Sequence, residues 1–140
     1  MEELFIVLKN RFNANKRLVD LGRVLYRHGD ATNEIPPYVT VEYVQADADD
    51  GFDSEVGKWN VVFRVLCRGP LTKRVDDIGA ELRRSFDNFA RASVDVAITG
   101  MFRTGWKMGT KQEDAVVLHV GEMSFECFTQ RPAYVVSAVG

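Results

Sequence analysis

Two consecutive prolines, Pro36-Pro37, hold their own φ at about −65° and push the residue before each toward extended backbone. The chain therefore enters a strand near Tyr38 and cannot be helical there. From Tyr38 to Gln45, Val39, Val41 and Tyr43 fall on one face and Thr40, Glu42 and Val44 on the other, the pattern of a strand buried on one side. A second alternating run follows an acidic connection. Trp59, Val61, Phe63, Val65 and Cys67 share one face, and Asn60, Val62, Arg64, Leu66 and Arg68 the opposite one. Burial stabilises by about 1.5–3 kcal/mol for each of the larger side chains, so this run supplies a substantial share of a core. The two strands are expected to pair antiparallel.

After the break at 68–70, Thr72 reads as an N-cap, and Val75, Ile78, Leu82, Phe86 and Phe89 line one helical face. Asp76, Asp77, Glu81, Arg83 and Arg84 lie mostly elsewhere on that helix. Its apolar stripe is expected to pack on the sheet face carrying Val61, Phe63 and Val65. At the N-terminus, Leu4, Phe5, Leu8 and Phe12 recur at three- and four-residue steps. Glu2 and Glu3 in the first turn and Lys9 and Arg11 toward the end suit the dipole of a helix over 2–13. Residues 13–15 read as a break, and 18–26 fit either a further helical turn or a short extended piece. Residues 93–99, 116–120 and 123–129 read as three further short strands, with Gly100, Gly105, Gly109 and Gly121 in the loops between. The fold class is α+β: one domain, a mainly antiparallel sheet of four or five strands and two main helices.

With 140 residues, one core suffices. No run approaches the roughly 20 apolar residues of a membrane span, and Met1-Glu2-Glu3-Leu4 lacks the basic start of a signal peptide, so no membrane association is expected. Cys67 and Cys127 sit in strand-like apolar segments, at a separation that matches no zinc or redox motif. They read as buried free thiols in preference to a disulfide.

Charge is balanced globally, 18 Lys and Arg against 20 Asp and Glu, but not locally. Asp47, Asp49, Asp50, Asp53 and Glu55 crowd between the first two strands. A calcium loop with Gly51 as its sixth residue would need ligands where Ala46, Ala48 and Gly57 stand, so a metal site is rejected. A solvated hairpin loop is favoured; the functional alternative is an acidic rim that repels DNA phosphates. Residues 101–111 carry the opposite sign, with Arg103, Lys107 and Lys111 interleaved with Phe102 and Trp106 in what reads as a glycine-rich loop. Such a loop suits a protein partner, in preference to stacking on nucleic-acid bases. His28 and His119 lie in no nucleophile, metal-ligand or phosphate-cradling motif, so catalysis and a cofactor are not expected.

The order of an N-terminal amphipathic helix, the Ile35-Pro36-Pro37-Tyr38-Val39-Thr40-Val41 strand entry, the strand over 60–67 and the helix beginning Val75-Asp76-Asp77-Ile78 resembles the tail-completion or tail-terminator proteins of long-tailed bacteriophages. The resemblance runs over about residues 4–89. It implies a non-enzymatic virion subunit at the tail–neck junction, assembled in the host cytoplasm. Such subunits form a homo-oligomeric ring, typically six-fold, that caps the tail tube protein and ends its polymerisation. The ring joins the tube to a head-completion or neck protein while DNA passes through the lumen without specific binding. In that frame the acids at 47–55 suit a lumen or rim, and the 102–111 segment suits subunit or tube contacts. The polar helix face with Asp76, Glu81, Arg83 and Arg84 offers both signs for a contact between unlike patches, although a solvated surface is the favoured reading. A head-closure component, or a small nucleic-acid-binding domain using Arg103, Trp106, Lys107 and Lys111, are the alternatives.

Overall fold

A computed structural model describes residues 2–30, 35–46, 56–68, 72–92, 96–113 and 116–130. Helices α1 (Glu2–Ala14), α2 (Lys16–Gly22) and α3 (Lys73–Phe86) cover one face of a sheet. Its strands are β1 (Leu25–Arg27), β2 (Tyr38–Gln45), β3 (Val56–Arg68), β4 (Ala97–Glu113) and β5 (Val116–Gln130), in the spatial order β1-β2-β3-β5-β4. Short β1 runs parallel to β2, and the other pairings are antiparallel. The α+β class and the largely antiparallel sheet expected from the sequence hold. No helix among the described residues is long and apolar enough to cross a membrane.

The alternation in β2 and β3 sets their register, with Val41 opposite Phe63 and Tyr43 opposite Val61, so one apolar face is continuous across the pair. The expected packing of α3 on that face is realised. Phe86 stacks at 4.7 Å between ring centroids on Phe63, which meets Phe125 of β5 edge-on at 5.8 Å. Leu4, Leu8 and Phe12 of α1 close the same core, all fully buried. Thr72 does precede α3, but it is in the helical region and its side chain makes no capping bond. Phe89 joins the core from beyond the helix end, after Asn88 turns the chain at φ 65°, a left-handed conformation that asparagine tolerates.

Between 13 and 27 both open readings are realised in succession. Asn15 caps α2, its Oδ1 accepting from the Leu18 N–H at 3.0 Å, and β1 follows. The same Asn15 donates through Nδ2 to Ser85 Oγ at 2.7 Å and to Glu81 Oε1 at 3.2 Å. Glu81 was expected on the outer helix face; instead it is buried. Arg84 at 2.6 Å and Arg17 at 3.2 Å flank its carboxylate and Asn15 covers it, locking α2 to α3. Asn15→Ala should cost about 1–2 kcal/mol, the loss of a cap plus a buried tie, read as a lower urea midpoint with unchanged slope.

The C-terminal half departs most from expectation. Two long strands replace three short ones, and the expected 101–111 loop is the middle of β4, paired with β5 from Ala97↔Gln130 to Glu113↔Val116. Glycines that read as loop markers lie inside strands. Cys67 and Cys127 are free and buried, as expected. Burial raises both thiol pKa values, Cys127 to about 12, with Arg74 partly offsetting the effect at Cys67. Neither should react with a disulfide-exchange reagent at about pH 8 in the native protein, and both should react once it is denatured.

Candidate interaction surface

The sheet face turned away from the helices carries a row of alternating charge that crosses four strands. Glu122 of β5 sits directly between Arg64 of β3 and Lys107 of β4. Its carboxylate accepts from Arg64 Nε at 3.1 Å and lies 3.8 Å from Lys107 Nζ. Arg64 Nη1 reaches Glu42 of β2 at 3.8 Å. His28, just after β1, completes the row, with Nε2 at 3.3 Å from Glu42 and Nδ1 at 3.4 Å from Arg64. Two rows of residues further along, Lys111, Leu118 and Arg68 lie side by side on the same face.

Between these two rows the floor is apolar and low. Gly109, Val120 and Leu66 lie abreast, and a side chain at Gly109 would meet nothing within 4 Å. The result is a groove of about 430 Å³ edged by His28, Arg64, Lys107 and Lys111. Of the residues lining it, Arg64, Lys107 and Lys111 are cations and Glu122 is a carboxylate, while Arg68 and Glu42 stand just outside, so the groove and its surround are predominantly cationic.

The residues singled out at 102–111 do not form one surface. Phe102, Lys107 and Lys111 face outward, opposite Glu126, Glu122 and Leu118, whereas Arg103 and Trp106 face the helices, opposite Phe125 and Met123. The cause is a register shift between Arg103 and Gly105. One extra residue in a strand exchanges its faces, so Phe102 and Trp106, which simple alternation would put together, end up on opposite sides. Trp106 is not an exposed loop aromatic. Its ring lies in a notch made by two glycines, Gly79 of α3 and Gly121 of β5, where a Cβ on either would collide with it. The Arg103 N–H donates to Asp87 Oδ1 at 3.0 Å, fastening the adjacent backbone to the end of α3. Phe102 stays half-exposed beside Phe128, at 6.1 Å between centroids.

Asp47, Asp49, Asp50, Asp53 and Glu55 lie outside the described residues. His119 pairs with Thr110 and Cys67 in the sheet and is half-buried. On α3, Asp76, Arg83 and Arg84 are exposed. Among the described residues no three His, Cys, Asp or Glu side chains are placed to hold a metal ion. His28, Arg64 and Glu122 were not among the expected site residues. The polar face of β3, where Arg64 and Arg68 stand four apart, is the sequence signal that could have pointed to Arg64; His28 and Glu122 carry none.

Compared with known proteins, the sequence matches no family model and no curated protein. Among solved structures the chain is similar to one from the virion of a native gene transfer agent particle, with TM-score 0.69 and 15% identity over 86% of this chain and 90% of that one. The two chains share a fold along nearly their whole lengths.

Proposed function

We propose that this chain is a structural subunit of a phage-like virion, and more specifically a tail-terminator protein. In this reading copies close into a ring on the end of the tail tube, stop its growth and present the surface that joins the head or neck, at the tail–neck junction. The role is architectural, with no catalysis and no cofactor. The observation that carries the reading is the fold shared over most of both chains with one from a gene transfer agent virion. The order of the N-terminal helix, proline-led strand, second strand and helix adds support, because it resembles the tail-terminator family.

The construction of the molecule suits such a part. Among the described residues the helices cover one sheet face and the other carries the charged rows, with a 17-residue strand, β4, last in the strand order. The start of the β4 edge is held by Arg91, which bridges Ile98, and by Asn88, whose N–H donates to the Met101 carbonyl; a charged sheet face and the remainder of a long edge strand are surfaces that an assembly can use. Light scattering over a concentration series, with negative-stain images of the most concentrated sample, tests the reading. The expected result is a closed ring of about six copies with a central hole, which shortens tubes when added to polymerising tail tube protein. Rings that never form, alone or on tubes, together with tubes of unchanged length would overturn it.

A further inference from the structure

We propose that the open-face groove receives the acidic segment 47–55 of a second copy of this chain, in a head-to-tail contact that repeats from copy to copy; this rests on the ring reading above. The first ground is charge. Segment 47–55 holds five carboxylates and no Lys or Arg, and the groove is lined by Arg64, Lys107 and Lys111 against Glu122, with Arg68 beside it. Opposite patches steer two surfaces together and penalise the like-charged alternatives. Lys107 is available to such a partner, its side chain 79% exposed and its carboxylate neighbour 3.8 Å away.

The second ground is span. Segment 47–55 is tethered at Ala46, whose N–H donates to the Lys58 carbonyl at 2.8 Å, and at Val56, the first residue of β3. No residue within it lies more than five residues from a tether, so its reach is at most about 18 Å. Arg68, abreast of Lys111 across the sheet, stands ten residues beyond Lys58 along β3, about 33 Å away. A chain therefore cannot cover the far half of its own groove with its own acids. Ala46 and Val56, which flank the acidic segment, and the Arg68 end of β3 lie toward opposite ends of one sheet, and unlike patches that a chain cannot bring together within itself join copies head to tail, into a ring or an open chain.

The test uses full-length protein in four forms: wild type, Lys107→Glu with Lys111→Glu, Asp49→Lys with Asp50→Lys, and all four changes together. Assembly is followed by light scattering at about 50 and 500 mM salt, where screening lengths differ severalfold. Each double variant should raise the midpoint concentration for assembly about tenfold or more. Mixing the two double variants should restore assembly, since copies can then alternate, and the fourfold change should restore it within one chain. The milder Lys107→Gln with Lys111→Gln, checked by circular dichroism, separates lost contact from lost fold.

Unchanged assembly in both double variants overturns the contact and leaves the ring standing. Open chains of indefinite length with the same pattern of loss and rescue keep the contact and refute the ring. A wild type that stays monomeric, with and without tubes, refutes both. Loss of retention of a short DNA duplex in the groove variant, with assembly intact, assigns the groove to nucleic acid instead and overturns the proposal.

Discussion

Replacing Phe63 by alanine should lower stability by about 3–5 kcal/mol, among the largest losses expected from a single truncation of a described residue. Phe63 is fully buried at the centre of the sheet, and its ring touches Phe86 of α3 and Phe125 of β5, so it joins the helix layer to two strands at once. Truncation removes the transfer free energy of the ring and leaves a cavity. The cluster around it is drawn from separate elements, Phe86 and Leu82 of α3, Phe125 of β5 and Val41 of β2, whose backbones are held in the helix and the sheet ladder and close into the space only in part. A domain of this size has about 5–15 kcal/mol in total, so the variant would stand near its unfolding threshold at room temperature. Equilibrium urea unfolding followed by far-ultraviolet circular dichroism gives the number. A loss under about 1 kcal/mol would mean that the aromatic cluster does not organise the core as described.

Adding one methyl group at Gly121 should displace Trp106 and cost about 1–3 kcal/mol. A Cβ at Gly121 would overlap the Trp106 ring and stand 2.7 Å from Val75 Cγ1; the ring cannot retreat toward α3, because it already fills the space over Gly79. Trp106 has to leave its notch. Since Trp59 is the only other tryptophan, Gly121→Ala in a Trp59→Phe background should shift the emission of the single remaining indole to the red as it meets water. Trp106 is held on one face of β4 and its neighbour Lys107 borders the groove on the other, so the same change loosens the groove edge. If Gly121→Ala leaves both the emission and the stability unaltered, the two-glycine notch does not hold Trp106.

These two positions differ in how far the sequence foretold them. Phe63 stands in an alternating run whose period repeats over ten residues, and the position of α3 against it follows from one apolar stripe meeting one apolar face. The role of Trp106 is invisible along the chain. It depends on Gly79 and Gly121, which lie on different elements and read locally as helix weakening and loop. The segment around Trp106 combines glycine, threonine, lysine and methionine without a clean period, and it becomes a strand only because β5 pairs with it along its length. The shift at Arg103 to Gly105 then exchanges its faces, so the candidate residues at 102–111 divide between two surfaces.

The charged site shows the same division. Lys107 and Lys111 were legible as cations near aromatics, but His28 and Arg64, 36 residues apart, become neighbours only through the β1–β2–β3 pairing. Glu81 looked like part of a solvated helix face and is buried, because α2 folds Arg17 and Asn15 over it. Sequence alone determined the α+β class, strands β2 and β3, helices α1 and α3, the antiparallel pairing of β2 with β3 and the burial of both thiols, since periodicity and local backbone preference act within a few residues of chain. The tertiary structure decided the β4–β5 hairpin, the faces its residues occupy and the groove. Those depend on pairings between distant segments, and a single-residue change of register is enough to reverse them.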